Sequence, residues 1–148
     1  MPPRIWTIGY EKLLPQELAN ELSTAGVQRV IDVRFRPQSR RPGMSKTRLS
    51  ELLRDHGITY EHRRELGTPQ HIRPLFHQGK LAEARAAYTA HVEANAPEAI
   101  AELATEIDNP STPHTALLCL EADPTGCHRR IITDALQARL PALTVVDL

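Results

Sequence analysis

The sequence predicts a Rossmann-like α/β fold: one three-layer α/β/α domain over residues 1–148, on an open, mostly parallel sheet of about five strands. Three observations lead there. Short apolar runs alternate with longer stretches in which leucines recur at helical spacing, and glycines and prolines punctuate the joints. The 148 residues suffice for one domain that buries its own core, without comfortable room for two. Hydrophobic residues make up 41% of the chain but aromatics only 4%, so the core has to be aliphatic.

Each element has its own signal. Arg4 to Ile8 is a β-rich run that stops at Gly9. Pro15 to Ala25 predicts a helix, with proline suited to the first turn, Leu18 and Leu22 at i and i+4, and Gly26 at the C′ position. Arg29 to Val33 is a second strand, which completes a right-handed βαβ unit. Ser45 to His56 is a helix with Ser45 as its cap and Gly57 as its stop. Ile58 to His62 is a short, weakly marked strand. Residues 63–79 form a long polar connector, of a length that in a compact domain points to function. Leu81 to Ala94 and Pro97 to Ile107 are helices broken at Asn95-Ala96-Pro97. Thr115 to Leu120 is apolar on both faces, as a central strand is. A loop leads to a helix over roughly 127–140, and Leu143 to Val146 is the last strand.

Composition excludes several classes. Lys+Arg and Asp+Glu are both 18, so no net charge drives association with nucleic acid, and anion binding has to come from local clustering. Two cysteines, Cys119 and Cys127, do not make a secreted disulfide framework. No apolar segment has signal-peptide or membrane-span length. The expectation is a cytoplasmic protein with free thiols and no membrane partner. Arginine outnumbers lysine 15 to 3, which weakens an argument resting on any one arginine.

In an open parallel sheet, ligands bind beyond the carboxyl ends of the strands. The residues there are Gly9, Tyr10 and Glu11 after the first strand, Asp32, Arg34 and Arg36 after the second, His62 and Glu65 after the third, and Glu121 to Arg130 after the fourth. The last group is the sharpest. In Cys119-Leu-Glu-Ala-Asp-Pro-Thr-Gly-Cys127-His-Arg-Arg a strand feeds a loop and the loop feeds a helix. Cys127 falls in or beside the first helical turn, where free N–H groups, the dipole and Arg129 favour a thiolate. The same geometry binds phosphate or carboxylate, so this is either a nucleophile site or an anion site, and the two can coincide. The bland alternative makes Cys127 a small packing residue and the arginines a solvated turn. Cys119 shares a strand face with Glu121 and reads as an inert core thiol, too far along the strand for an easy disulfide with Cys127. The spacing of Cys119, Glu121, Cys127 and His128 matches no standard zinc pattern, so no metal is expected. Neither a dinucleotide loop nor a P-loop occurs, and no cofactor is expected.

From Arg34 to Arg48 there are six positive charges and no acid. Arginine forks suit phosphate or carboxylate, and Asp32 and Arg34 share one strand face. A solvated basic loop is the competing explanation.

Taken together, Thr7-Ile8-Gly9-Tyr10, Asp32-Val33-Arg34 with Pro37 and Ser39, Tyr60 to His62 with Glu65-Leu66-Gly67, and Leu118 to Glu121 followed by Cys127-His128-Arg129 resemble the bacterial and archaeal family called domain of unknown function 488. The resemblance runs over nearly the whole chain. Tyr10-Glu11 departs from it, since relatives commonly carry a histidine after that glycine. An enzymatic role for the cysteines is what the resemblance implies.

The expectation is therefore an enzyme acting on an anionic, phosphate-bearing or nucleotide-like substrate. Cys127, Glu121 and Asp32 are the catalytic candidates. Arg129, Arg34, Arg36, Arg40, His128, His62, Gly9 and Tyr10 are the anion or substrate contacts. The alternative is a non-catalytic nucleotide or nucleic-acid binding module using the basic loop 34–48.

Overall fold

The sheet has five strands, all parallel, in the order β3-β2-β4-β1-β5. The computed structural model describes residues 2–148. In chain order the elements are β1 (Arg4–Gly9), α1 (Pro15–Thr24), β2 (Arg29–Asp32), α2 (Lys46–Asp55), β3 (Thr59–His62), α3 (Arg73–His77), α4 (Leu81–Asn95), α5 (Ala99–Asp108), β4 (Thr115–Cys119), α6 (His128–Arg139) and β5 (Thr144–Asp147). Short 3-10 turns at Arg64–Leu66 and Pro124–Gly126 precede α3 and α6. The predicted single α/β domain is present, with its sheet wholly rather than mostly parallel.

Alternation along the buried strands sorts their side chains into two cores. Trp6, Ile8, Val30, Ala116 and Leu118 pack with Leu18 and Leu22 of α1 and Leu49 and Leu53 of α2 on one face. Ile5, Ile31, Leu117 and Cys119 face the other way, toward Tyr88 of α4, Leu103 of α5 and Ile132 of α6. β4 lies between β2 and β1 and is buried along its length, which its continuous apolar sequence requires.

The topology positions the site. β1 and β2 lead into helices on one face, while β4 between them leads into α6 on the other. A crevice opens where neighbouring connections diverge, at the carboxyl ends of the strands. Two glycines let the backbone close around it. A Cβ at Gly9 would lie 1.7 Å from the Glu121 carbonyl oxygen, so the ends of β1 and β4 meet main chain to main chain. A Cβ at Gly67 would lie 2.4 Å from the Phe35 Cα, so the turn after β3 lies directly on the segment after β2.

The connector 63–79 holds more order than the sequence predicts. It contains the turn Arg64–Leu66 and the five-residue α3, which begins at Arg73-Pro74. A helix this short shows no amphipathic period, which hides it from pattern reasoning. Among the described residues, no helix is long and apolar enough to cross a membrane.

Candidate functional site

Cys127 is the N-cap residue of α6. Its backbone is extended, and its sulfur accepts from the Arg129 backbone N–H at 3.5 Å. Asp123 caps the preceding turn by accepting from the Thr125 N–H at 3.0 Å and hydroxyl at 2.7 Å. The loop between β4 and α6 thus has two caps in series, and the second places a thiol on the free N–H groups and positive dipole end of a twelve-residue helix.

His128 completes a thiol–imidazole pair. Its Nε2 lies 2.6 Å from the Val33 carbonyl. A carbonyl only accepts, so Nε2 carries the proton and Nδ1 is left to face Cys127 Sγ at 3.5 Å. The ring is held by Tyr88, with centroids 5.4 Å apart, and by Phe76 of α3 at 6.4 Å. Tyr88 is itself anchored by donating to the Leu66 carbonyl at 2.6 Å.

Cys119, the last residue of β4, joins this pair. Its thiol lies 3.5 Å from Glu121 Oε2, and the ligand atoms of Cys119, Glu121 and Cys127 lie within 4.8 Å of one another. Burial pushes the Cys127 thiol up. Hydrogen bonding from Cys119, the charge and hydrogen bond of His128 and the charge of Arg129 outweigh it, so Cys127 is held well below the ordinary thiol range. The proton that Cys127 loses is kept by its neighbours. Cys119 is raised, by burial and then by the Cys127 thiolate. Burial lowers His128, but the adjacent thiolate raises it further, and the net direction is up. Glu121 is raised by burial and by the same thiolate. The cluster thus favours the proton on Cys119, His128 and Glu121 over Cys127.

These residues line a cleft of about 400 Å³ together with Tyr10, Arg34, Arg36, Arg40, Thr68, Arg73 and His77. Arg36, Arg40 and Arg73 are exposed, and among the described residues none has an acidic partner. The Thr68 hydroxyl is buried with no hydrogen-bond partner. The cleft therefore offers unused cations and an unused hydroxyl beside the thiolate. Cys119, Glu121 and Cys127 also have the chemistry to hold a thiophilic cation, with His128 turned toward Cys127 instead of closing a fourth corner.

Five expectations need correcting. Arg129 is fully buried and does not line the cleft. Its side chain donates to Thr7 Oγ1 at 3.1 Å and the Glu121 carbonyl at 2.6 Å, so it ties β1 to the β4–α6 loop, and it reaches Cys127 through its backbone N–H and its charge. Asp32 is equally enclosed, and its carboxylate is consumed by Arg34 Nε at 2.9 Å, Arg34 Nη2 at 2.7 Å, the Arg34 N–H at 3.0 Å and the Tyr60 hydroxyl. Arg34 lines the cleft, but its fork is spent on Asp32, the Met44 carbonyl at 2.7 Å and the Tyr10 hydroxyl at 3.3 Å. His62 donates to the Arg34 carbonyl at 2.7 Å, outside the cleft. Gly9 is a packing position, with Tyr10 beside it forming wall and stacking its ring at 5.3 Å from the Arg34 guanidinium.

Cys127, Glu121, His128, Arg36, Arg40 and Tyr10 line the same cleft. Cys119, Thr68 and Arg73 were not expected at the site. Cys119 arrives because residues 120–126 turn back at the end of β4, so that its thiol and that of Cys127 meet in one cleft. Arg73 and Thr68 come from the connector whose length was the available signal. Arg41, counted in the basic loop, instead binds the carbonyls of Tyr10, Glu11 and Leu13 and pins that loop to the end of β1.

No curated protein and no solved structure matches the chain. One family model does, over residues 15–136, a span that takes in β2, β4, the thiol cluster and the basic rim. The chain belongs to the family described as domain of unknown function DUF488.

Proposed function

We propose that the protein is a cytoplasmic thiol enzyme acting on an anionic, phosphate-bearing substrate. The observation that carries this reading is the Cys127–His128 pair at the floor of a cleft whose rim presents unpaired Arg36, Arg40 and Arg73. Nucleophilic cysteines are activated in this way, by a positioned imidazole, a helix N-terminus and nearby cations. The rim arginines and the Thr68 hydroxyl hold the anion, and Cys127 Sγ attacks the electrophilic centre beside it. Glu121, raised so that it keeps its proton nearer neutrality, gives that proton to the departing group. Arg129 and Asp32 position the floor from behind it, and Arg34, bound to Asp32, forms part of the wall.

Alkylation of the native protein tests this. The rate at Cys127 should follow a titration centred below the ~8.5 of a free thiol, and inorganic phosphate should protect. A free-thiol titration overturns the nucleophile. Phosphate protection of an unreactive thiol favours the second reading, a non-catalytic nucleotide or nucleic-acid binding module, which the same unpaired rim arginines support. That module requires a salt-dependent affinity for oligonucleotides.

A further inference from the structure

The thiol cluster contains one cysteine more than a nucleophile needs. Cys119 ends β4, Cys127 begins α6, and the loop of residues 120–126 turns back so that the two thiols share one pocket floor. Their sulfur atoms lie within 4.8 Å of each other. Closing to the ~2.05 Å of a disulfide takes a movement of less than about 3 Å, shared between two side chains and the loop. Both residues border the cleft, so a small oxidant reaches them although each is almost wholly buried. The Glu121 carboxyl, 3.5 Å from the Cys119 thiol, is placed to take its proton.

We infer that Cys119 and Cys127 form a reversible intramolecular disulfide, in which Cys119 resolves a sulfenic acid formed on Cys127 by a peroxide. In the first step the Cys127 thiolate attacks the peroxide oxygen. An S–O bond forms, the O–O bond breaks, sulfur loses two electrons, and the departing alkoxide or hydroxide takes a proton and leaves as alcohol or water. In the second step Cys119 attacks the Cys127 sulfur while Glu121 accepts the Cys119 proton on Oε2 and gives up its own proton from Oε1 to the departing hydroxyl. The S–S bond forms, the S–O bond breaks, and the hydroxyl leaves as water. A dithiol reverses the change by exchange, being oxidised to its own disulfide. In a reducing compartment such a bridge is transient. It protects Cys127 from the irreversible sulfinic and sulfonic states.

This inference rests on the Cys127 thiolate of the proposed function but not on the substrate. The test treats reduced full-length protein with hydrogen peroxide, blocks remaining thiols with N-ethylmaleimide, and reads intact mass and non-reducing peptide maps. Wild type should lose both thiols together, as a monomer two hydrogens lighter with Cys119 joined to Cys127, and dithiothreitol should restore both. Cys119→Ser should accumulate one to three oxygens on Cys127. Cys119→Ala provides a second variant should serine disturb the strand end. Three results overturn the inference: wild type gaining oxygens as fast as Cys119→Ser, disulfide-linked dimers, or thiols held by a metal ion and reactive only after chelation. The alkylation titration is read on the same samples. A low midpoint without the bridge overturns the pairing and spares the thiolate, whereas a free-thiol midpoint without the bridge overturns both.

Discussion

Two polar clusters flank the same cleft, one at the end of β2 and one at the end of β4. In sequence they look alike, each an acid and an arginine at a strand exit. The β2 cluster is closed. Asp32 meets Arg34 three ways and Tyr60 once, and Arg34 Nη1 donates to the Met44 carbonyl and the Tyr10 hydroxyl. The β4 cluster is open. Cys127 has polar neighbours at 3.5 Å, and Thr68 and the rim arginines line the same cleft unpaired. A buried charge pair with every partner in place fixes architecture, because any ligand would have to displace a bond already made. Reactive chemistry belongs where bonding capacity is left over and faces a cleft. The two clusters also differ in how they hold charge. Arg34 carries a guanidinium that needs no neighbour to be charged, while the ease of ionising Cys127 depends on the groups packed around it.

The strongest attempt to break this comparison is Arg34→Ala. It leaves Asp32 buried without its partner and should reduce unfolding stability by about 3–5 kcal/mol, read from the urea midpoint. A loss of only a few tenths would show that the pair is not the clamp described. Gly9→Ala comes next. The added Cβ meets the Glu121 carbonyl, and the strain should cost about 1–3 kcal/mol by the same measurement while loosening the loop that carries Cys127.

His128→Ala sharpens the other side. Wild-type alkylation should be slow in acid, where Cys127 is protonated, rise as pH passes through the lowered Cys127 pKa, and level off before an ordinary thiol titrates. Removing the imidazole should move that rise upward, toward ~8.5. A rise that stays in place would take His128 out of the pair. The smallest effect on stability is expected from replacing Arg36, Arg40 and Arg73 together by glutamine. Their exposed, unpaired side chains predict a change within about 0.5 kcal/mol each. Phosphate protection of Cys127 should nevertheless disappear, and its survival would place the anion elsewhere.

The comparison also explains how much the sequence could reveal. β1, β2, β4 and their helices were legible because apolar period, proline at helix starts and glycine at helix ends agreed over whole elements. Cys127 at the start of α6 was legible for the same reason, since loop chemistry and helix pattern met at that residue. The fate of each arginine was not. Arg129 and Arg36 are one residue type at two strand exits, yet one is fully buried on backbone carbonyls and the other faces solvent. That difference depends on which carbonyls the folded chain leaves within reach, and no local pattern encodes it. Cys119 was misread because the return of residues 120–126 toward the strand end leaves no local pattern.

The main-chain contact at Gly9 carries an evolutionary consequence. Selection will hold this position to glycine whatever the family does, because any side chain there collides with the turn that feeds α6. Gly67 and Arg129 fall under the same purifying pressure. Invariance at these three positions across relatives would therefore record descent from a common scaffold and say nothing about substrate. Divergence in what the family acts on should be written instead in residues free to drift, at Arg36, Arg40 and Arg73, where exchanging a side chain leaves the fold untouched.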